Sequence, residues 1–343
     1  MRAYRLLEPG SAELVEIAEP QPGPHDVVLR VLAAGVCRTD LELRRTGGPA
    51  ALALPVTLGH EVAGEVVAVG EAVRDQPLGA RVAVYELLGC GRCAACGRGE
   101  DNVCREAVPG AVGITRDGGM ADYVAVPARA LVGLESLDPV AAAPLTDAGM
   151  TALHAVRRGR ELVREPQSAV VMGIGGLGHL ALQFLLATTD ARVTAVDVDA
   201  DRLEFAAELG AAHGVLSTEH GARDVMAAND GREVDVVLDF VGSQASLDLA
   251  AQVTGRGGAI VVTGGGGGRL CLTAEMGAGR APDREVAIVH TFGGTRADLV
   301  EALALAEAGR VRTSVESFGL GEASRAFDAL EAGQILGRAV LQP

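Results

Sequence analysis

Four cysteines stand close together in the stretch GCGRCAACGRGEDNVC, as Cys90, Cys93, Cys96 and Cys104. Three of them recur at steps of three with glycines between, and the fourth follows eight residues later, so one short coil can turn four thiolates inward. Such a set suits one tetrahedral ion. It leaves no open position, so its expected role is structural. An iron–sulfur cluster is the rival reading, because four cysteines also ligate clusters.

A second chemical signature lies in SAVVMGIGGLGHLALQFLLATTDARVTAVDVD. Here the apolar run Ala169 to Met172 meets Gly173, Gly175, Gly176 and Gly178. A helical pattern follows from Leu177 to Ala187, and a second apolar run ends at Asp197. The sequence predicts a strand, a tight turn, a helix and a strand. Glycines at such a turn let the backbone approach a diphosphate, which the helix N-terminus favours electrostatically. An acid about 20 residues further on is placed to take both hydroxyls of an adenosine ribose and to repel a ribose phosphate. The expected ligand is therefore NAD in preference to NADP.

Other polar groups are scattered. GVCRTD carries Cys37, Thr39 and Asp40, LGHE carries His60 and Glu61, and APLTDAG carries Asp147. Taken singly, a lone cysteine or histidine is more often a packed core residue than a ligand, and their spacing does not bring these groups together. Asp147 serves equally well as the N-cap of the helical pattern beginning near Ala148. The run Gly264 to Gly268 suits either close approach to a nicotinamide or a mobile loop. Arg338 reads as a phosphate partner or as a surface arginine.

The elements that must position these groups fall into two kinds. Up to about residue 130, short runs such as ELVEIAEP, DVVLRVLAAGVC, HEVAGEVVAVGEAV and ARVAVYE are separated by Pro and Gly turns, with Gly64 and Gly70 as bend positions. They predict a compact barrel-like β domain. RRTGGPAALALP, residues 44–55, reads as a loop. From residue 169 strands alternate with helices: helix Ala200 to Leu209, strand Val234 to Phe240, helix Gln244 to Val253, strand Ala259 to Thr263, strand Val286 to His290 and helix Ala297 to Ala308. That alternation predicts a doubly wound parallel sheet. EASRAFDALEAGQILGRAVL closes the chain as helix, turn and strand.

A chain of 343 residues suits two domains. Its net charge of −15, its pI near 4.9 and the complete absence of lysine argue against nucleic acid as partner. No uninterrupted apolar stretch is long enough to span a bilayer. MRAYRLLEPG has no long apolar run ahead of a cleavage site, so the expectation is a cytoplasmic protein whose cysteines serve as ligands rather than disulfides.

GVCRTD, GHE, the four-cysteine lobe, GIGGLGH with Asp197, FGGTR and the terminal GRAVL occur in the order found in one family. Over nearly its full length the chain resembles the zinc-dependent medium-chain alcohol dehydrogenases. PVAAAPLTDAGMTALHA is similar to the bacterial members that interconvert ketones and secondary alcohols with NAD(H). The resemblance implies an α/β fold with a GroES-like β-barrel catalytic domain, residues 1–146 and 292–343, carrying a zinc lobe at 88–106. A Rossmann NAD-binding domain would occupy residues 147–291.

By the same resemblance Cys37, His60 and Asp147 would hold a catalytic zinc, with Glu61 as an occasional extra ligand. Cys90, Cys93, Cys96 and Cys104 would hold a structural zinc, giving two Zn2+ per chain. Thr39 would touch the substrate oxygen. Arg38, Gly173, Gly175, Gly176, Leu177, Gly178, Asp197, Arg202, Val241, Gly264 and Arg338 would contact the cofactor. The implied activity is reversible hydride transfer between NAD and a primary or secondary alcohol, or the matching aldehyde or ketone, in a homodimer or homotetramer. The sequence departs from the family pattern at three places. Glu42 stands where many members have a relay histidine, Arg38 stands where others have a histidine after the first zinc cysteine, and Tyr85 to Leu88 holds Glu86 and no tryptophan. Two other readings compete. One is a zinc-free quinone or enone reductase of the same superfamily, which would lack both cysteine-containing ligand sets. The other is a non-enzymatic nucleotide-binding protein.

Overall fold

A computed structural model of the protein describes residues 1–48, 53–106, 111–270 and 285–343. Part of the 44–55 loop reading, together with Cys271, lies outside the described residues. The chain divides into two compact units, Met1–Met150 with Gly293–Pro343, and Thr151–Phe292. The division falls inside the helix Ala148–Leu162.

The first unit is built on antiparallel β structure. The strand Asp26–Val36 pairs with Glu61–Val69, Tyr123–Pro127 and Arg338–Gln342, and the sheet continues through Arg81–Val84 to Leu131–Gly133 on one side and Val315–Gly319 on the other. A register shift between Val31 and Ala33, opposite Gly64 and Ala63, bends the central pair. The bend lies at one of the two glycines that the sequence marks. Tyr4, Leu29, Val62, Val66, Val84, Phe327 and Leu341 fill the core. The sequence reads residues 44–55 as loop, yet a helix Arg38–Thr46 reaches into that stretch and ends on Gly47 at φ 79°, a left-handed cap that glycine adopts without strain.

The second unit is a six-stranded sheet among the described residues, all parallel, in the order His213–Leu216, Arg192–Asp197, Ser168–Met172, Val234–Asp239, Thr254–Val262, Ala287–His290. In chain order this is 3-2-1-4-5-6, the arrangement of dinucleotide-binding sheets. All five residues of Ser168–Met172 are buried, as a strand covered on both faces requires. The helix Gly178–Thr188 likewise buries its first eight residues, which explains its lack of a polar face. No helix among the described residues is long and apolar enough to cross a membrane.

Candidate active site and metal centres

Strand register builds the first cluster. Gly35 lies opposite both Glu61 and Val340, and Ala339 lies opposite Val36, so Cys37, His60, Glu61 and Arg338 gather at the same end of three neighbouring strands. Asp147 comes from elsewhere in the sequence. Thr146 Oγ1 accepts a hydrogen bond from Val62 N at 3.2 Å and donates one to Ala143 O at 2.7 Å, pinning the turn before Asp147 to the strand after His60. Asp147 Oδ2 then lies 3.4 Å from Cys37 Sγ and 3.4 Å from His60 Nε2. One ligand atom from each of Cys37, His60, Glu61 and Asp147 falls within 4.8 Å of the others.

Asp40 orients this set. It accepts a hydrogen bond from Cys37 N at 2.9 Å at the start of the helix Arg38–Thr46, and its other oxygen lies 3.2 Å from His60 Nδ1. With the proton held on Nδ1, the lone pair at Nε2 faces Cys37 and Asp147, the carboxylate–histidine arrangement typical of metal sites. The sequence offers a signal for this role: an acid three residues after Cys37, then arginines at the end of the same helix, marks a helix start.

Electrostatics favour a cation here. Asp40, Glu61 and Glu86 are buried, Asp147 is nearly so, and Cys37 joins them. Burial pushes Glu61 and Glu86 well above the usual carboxylate range, and the neighbouring anions push them further, although Arg338 opposes the shift at Glu61 and His60 opposes it at both. Burial disfavours charge on His60, but Asp40, Glu86 and Asp147 outweigh it and raise its pKa. Glu61 forms a buried ion pair with Arg338. A Cβ at position 35 would lie 1.8 Å from Glu61 Oε2, so only glycine leaves room for this carboxylate. Burying so many acids together is costly, and a divalent ion held by Cys37, His60 and Asp147 would offset that cost.

The other residues expected here are placed as follows. Thr39 is exposed, with Oγ1 3.7 Å from Cys37 Sγ. Arg38 is exposed on the same helix, whereas Arg338 is 4% exposed and engaged with Glu61. Glu42, in the place of the relay histidine, faces solvent and accepts two hydrogen bonds from Arg45 at 2.8 and 3.1 Å.

The four-cysteine lobe forms a separate cluster, with sulfur separations of 3.9 Å for Cys90–Cys96, 3.5 Å for Cys93–Cys96 and 3.9 Å for Cys93–Cys104. A tetrahedral Zn–S bond of about 2.3 Å sets ligand separations of about 3.8 Å. The lobe therefore has room for one ion, whereas a cluster of several irons would hold its thiolates further apart. Backbone N–H groups of Cys90, Cys93 and Cys96 donate to Cys104, Cys90 and Cys93 sulfurs at 3.3, 3.3 and 3.5 Å, which favours thiolates. The N–H of Cys96 is the largest influence bringing the Cys93 thiol down to about 6.

In the second unit, Gly173 has φ 84°, and a Cβ on Gly178 would lie 1.9 Å from Gly173 O. Both positions need glycine for the turn to close against the helix. Gly175, Gly176 and Leu177 form the turn between them. Asp197 caps this turn, its carboxylate accepting from Ile174 N at 2.6 Å and Asp199 N at 3.1 Å. Arg202 donates to Ile174 O at 3.1 Å, so it stands beside the same turn. Val241 is partly exposed. Gly264 to Gly268 is tied down, with Gly264 N bonded to Asp239 O, Gly266 N to Val241 O and Gly268 N to Gly242 O. Those bonds make the glycine run an ordered loop at the carboxyl ends of the strands.

Residues 23–136 match the family described as alcohol dehydrogenase GroES-like domain, and residues 176–308 match zinc-binding dehydrogenase. An NAD-dependent alcohol dehydrogenase of Sulfurisphaera tokodaii is 35% identical, with 100% of both chains aligned. The chain belongs to the zinc-type medium-chain alcohol dehydrogenases. Within this family, the crystal structure of the alcohol dehydrogenase from Aeropyrum pernix superposes with a TM-score of 0.90 at 35% identity, covering 100% of both chains. A D-arabinose 1-dehydrogenase (NADP(+)) of Saccharolobus solfataricus is 33% identical over 99% of this chain and 96% of its own. The two-domain α/β architecture is therefore that of the family, while cofactor choice varies among its members.

Proposed function

We propose that the protein is a zinc-dependent, NAD-linked alcohol dehydrogenase that interconverts alcohols with aldehydes or ketones. The observation that carries this reading is the convergence of Cys37, His60, Glu61 and Asp147 within 4.8 Å. Cys37, His60 and Asp147 would hold the catalytic ion, with Glu61 as a reserve ligand tied to Arg338. Cys90, Cys93, Cys96 and Cys104 would hold the second, structural ion. Bound Zn2+ supplies Lewis acidity toward the oxygen of an alcohol or carbonyl.

The chain's own groups do the rest. Cys37 and Asp147 as anions, with a neutral His60 oriented through its Nδ1 by Asp40, would match the charge of a divalent ion. Thr39, exposed beside Cys37, would accept the hydrogen bond of the alcohol O–H and hand its proton on, and would return a proton in the reverse direction, while bound NAD would supply the hydride acceptor or donor. Glu42 is engaged with Arg45, which favours release of that proton to water. Gly173, Gly175, Gly176, Leu177 and Gly178 receive the diphosphate at a helix N-terminus. Arg202, Val241 and Gly264 border that cofactor site. Arg338 serves instead through Glu61. The zinc-free reductase reading lacks support from two complete donor sets. We extend the proposal to a homodimer or homotetramer, supported by the sheet-edge strand Ala287–His290, which among the described residues pairs on one side only, and to a cytoplasmic setting, where cysteines serve as ligands rather than disulfides. Formation of NADH from NAD+ and butan-2-ol tests the reaction; a chain loaded with zinc that neither reduces NAD+ with any alcohol nor oxidises NADH with any aldehyde or ketone would refute it.

Asp197 should set the cofactor. Its carboxylate is held by Ile174 N and Asp199 N at the end of its strand, where it can accept from two ribose hydroxyls and repel a phosphate. Asp197→Gly should raise kcat/KM for NADP+ relative to NAD+ by about 10-fold or more, a difference of about 1.4 kcal/mol. An unchanged ratio removes Asp197 from cofactor selection.

A further inference from the structure

Asp239 ends the strand Val234–Asp239 fully buried, and among the described residues no cation pairs with it. Its carboxylate is directed instead at the loop that follows. Oδ1 accepts from Val241 N at 2.8 Å and from Gly242 N at 2.9 Å, and Oδ2 accepts from Ser246 Oγ at 2.8 Å. Ser246 Oγ in turn accepts from Ser243 N at 3.0 Å, at the cap of the helix Gln244–Val253. Val236, Val237 and Leu238 ahead of it are apolar and buried, so packing alone would favour an apolar residue here. An acid held out of water with no countercharge is costly, and these three charge-assisted bonds are what offset that cost.

The loop fixed in this way braces the carboxyl end of the sheet on two sides. On one side it carries the glycine run: Gly264 N bonds to Asp239 O at 3.0 Å, Gly266 N to Val241 O at 3.0 Å and Gly268 N to Gly242 O at 2.9 Å. Gly242 has φ 67°, and a Cβ on it would lie 2.1 Å from Gly264 O, so the two loops meet backbone to backbone. On the other side Val241 overlies the dinucleotide turn, because a Cβ on Gly173 would lie 2.6 Å from Val241 Cγ2. In the strand order of this sheet the three strands that come first in sequence form the half that holds Asp197 and suits the adenosine. Val234–Asp239 opens the second half, whose strand ends suit the other nucleotide.

We propose that Asp239 is a positioning residue for the nicotinamide half of NAD(H), acting through Val241, Gly242 and the glycine run rather than by touching the cofactor. The inference rests on the NAD-linked dehydrogenase reading. A loop already held in its bound shape loses little conformational freedom on binding, so loosening it weakens the part of the ligand that it meets. Without the Asp239 carboxylate, Val241 N and Gly242 N lose their acceptor, and the glycine run loses the frame to which it is bonded.

Titration of the zinc-loaded full chain with NADH, followed by fluorescence, and with 5′-AMP, followed by calorimetry, separates the two halves of the cofactor. Asp239→Ala should weaken NADH binding about 10-fold and leave 5′-AMP within about 2-fold of the wild type. Asp239→Asn keeps an acceptor oxygen for both N–H groups and should hold NADH within about 3-fold. A residue that served stability alone would shift both ligands together or neither. Unchanged NADH affinity in folded Asp239→Ala, equal losses for NADH and 5′-AMP, or an Asn variant as weak as the Ala variant would each overturn the proposal. Should Asp239→Ala not fold, Ser246→Ala decides in its place, since it removes only the bond to Oδ2. NADH weakened about 3-fold with 5′-AMP unchanged then supports the proposal, and unchanged NADH affinity overturns it. Wild-type protein that binds no NADH strikes instead at the NAD-linked reading, and the proposal falls with it.

Discussion

Asp147→Asn should empty one metal site and remove most of the activity while leaving the four-cysteine site loaded. Asp147 Oδ2 lies 3.4 Å from both Cys37 Sγ and His60 Nε2, so its charge is placed to complete a ligand set rather than only to start the helix Ala148–Leu162. Asparagine is a good helix cap but carries no charge, so the substitution separates the two roles. A third ligand lost from a catalytic site should lower kcat/KM by about 100-fold or more, equivalent to about 3 kcal/mol of transition-state stabilisation. Elemental analysis should fall from two zinc ions per chain to one. Near-normal turnover with both ions retained would leave Asp147 as a helix cap and nothing more.

Cys96→Ala should have the opposite profile: one zinc ion lost, a lower melting temperature, and chemistry affected only through stability. The Cys90–Cys96, Cys93–Cys96 and Cys93–Cys104 sulfurs stand 3.5 to 3.9 Å apart, and three of the sulfurs accept backbone N–H bonds, as a loop that closes around the proposed ion requires. Metal binding energy at such a site is coupled to folding. A loss of about 3 kcal/mol would lower Tm by about 10 °C for a unit of this size. Retention of the metal and of Tm together would contradict the assignment.

Much of the fold is legible because its elements obey simple periodicities. The glycine turn with Asp197 and the alternation of apolar runs with helical patterns specify a parallel sheet, and the strand order 3-2-1-4-5-6 is the arrangement that such alternation favours. The four-cysteine lobe is equally plain, because its ligands are local in sequence. The other cluster is less legible for a physical reason. Cys37, His60, Asp147 and Arg338 come from four separated segments, and only strand register and the Thr146 hydrogen bonds bring them together. The helix Arg38–Thr46 is short and largely polar, so periodicity alone gives little sign of it, and with it goes the orienting role of Asp40. Arg338 reads as a phosphate partner or a surface arginine until the pairing of its strand with Asp26–Val36 buries it against Glu61.

The Cys37, His60 and Asp147 cluster is proposed to perform alcohol oxidation through a bound zinc ion. Its most direct test is the rate of NADH formation from NAD+ and butan-2-ol by protein stripped with a chelator and then titrated with Zn2+. Turnover should disappear in the stripped protein and return as zinc refills the site, but should not return in Asp147→Asn at the same zinc concentration. Undiminished turnover by the metal-free protein, or full recovery by Asp147→Asn, would contradict it.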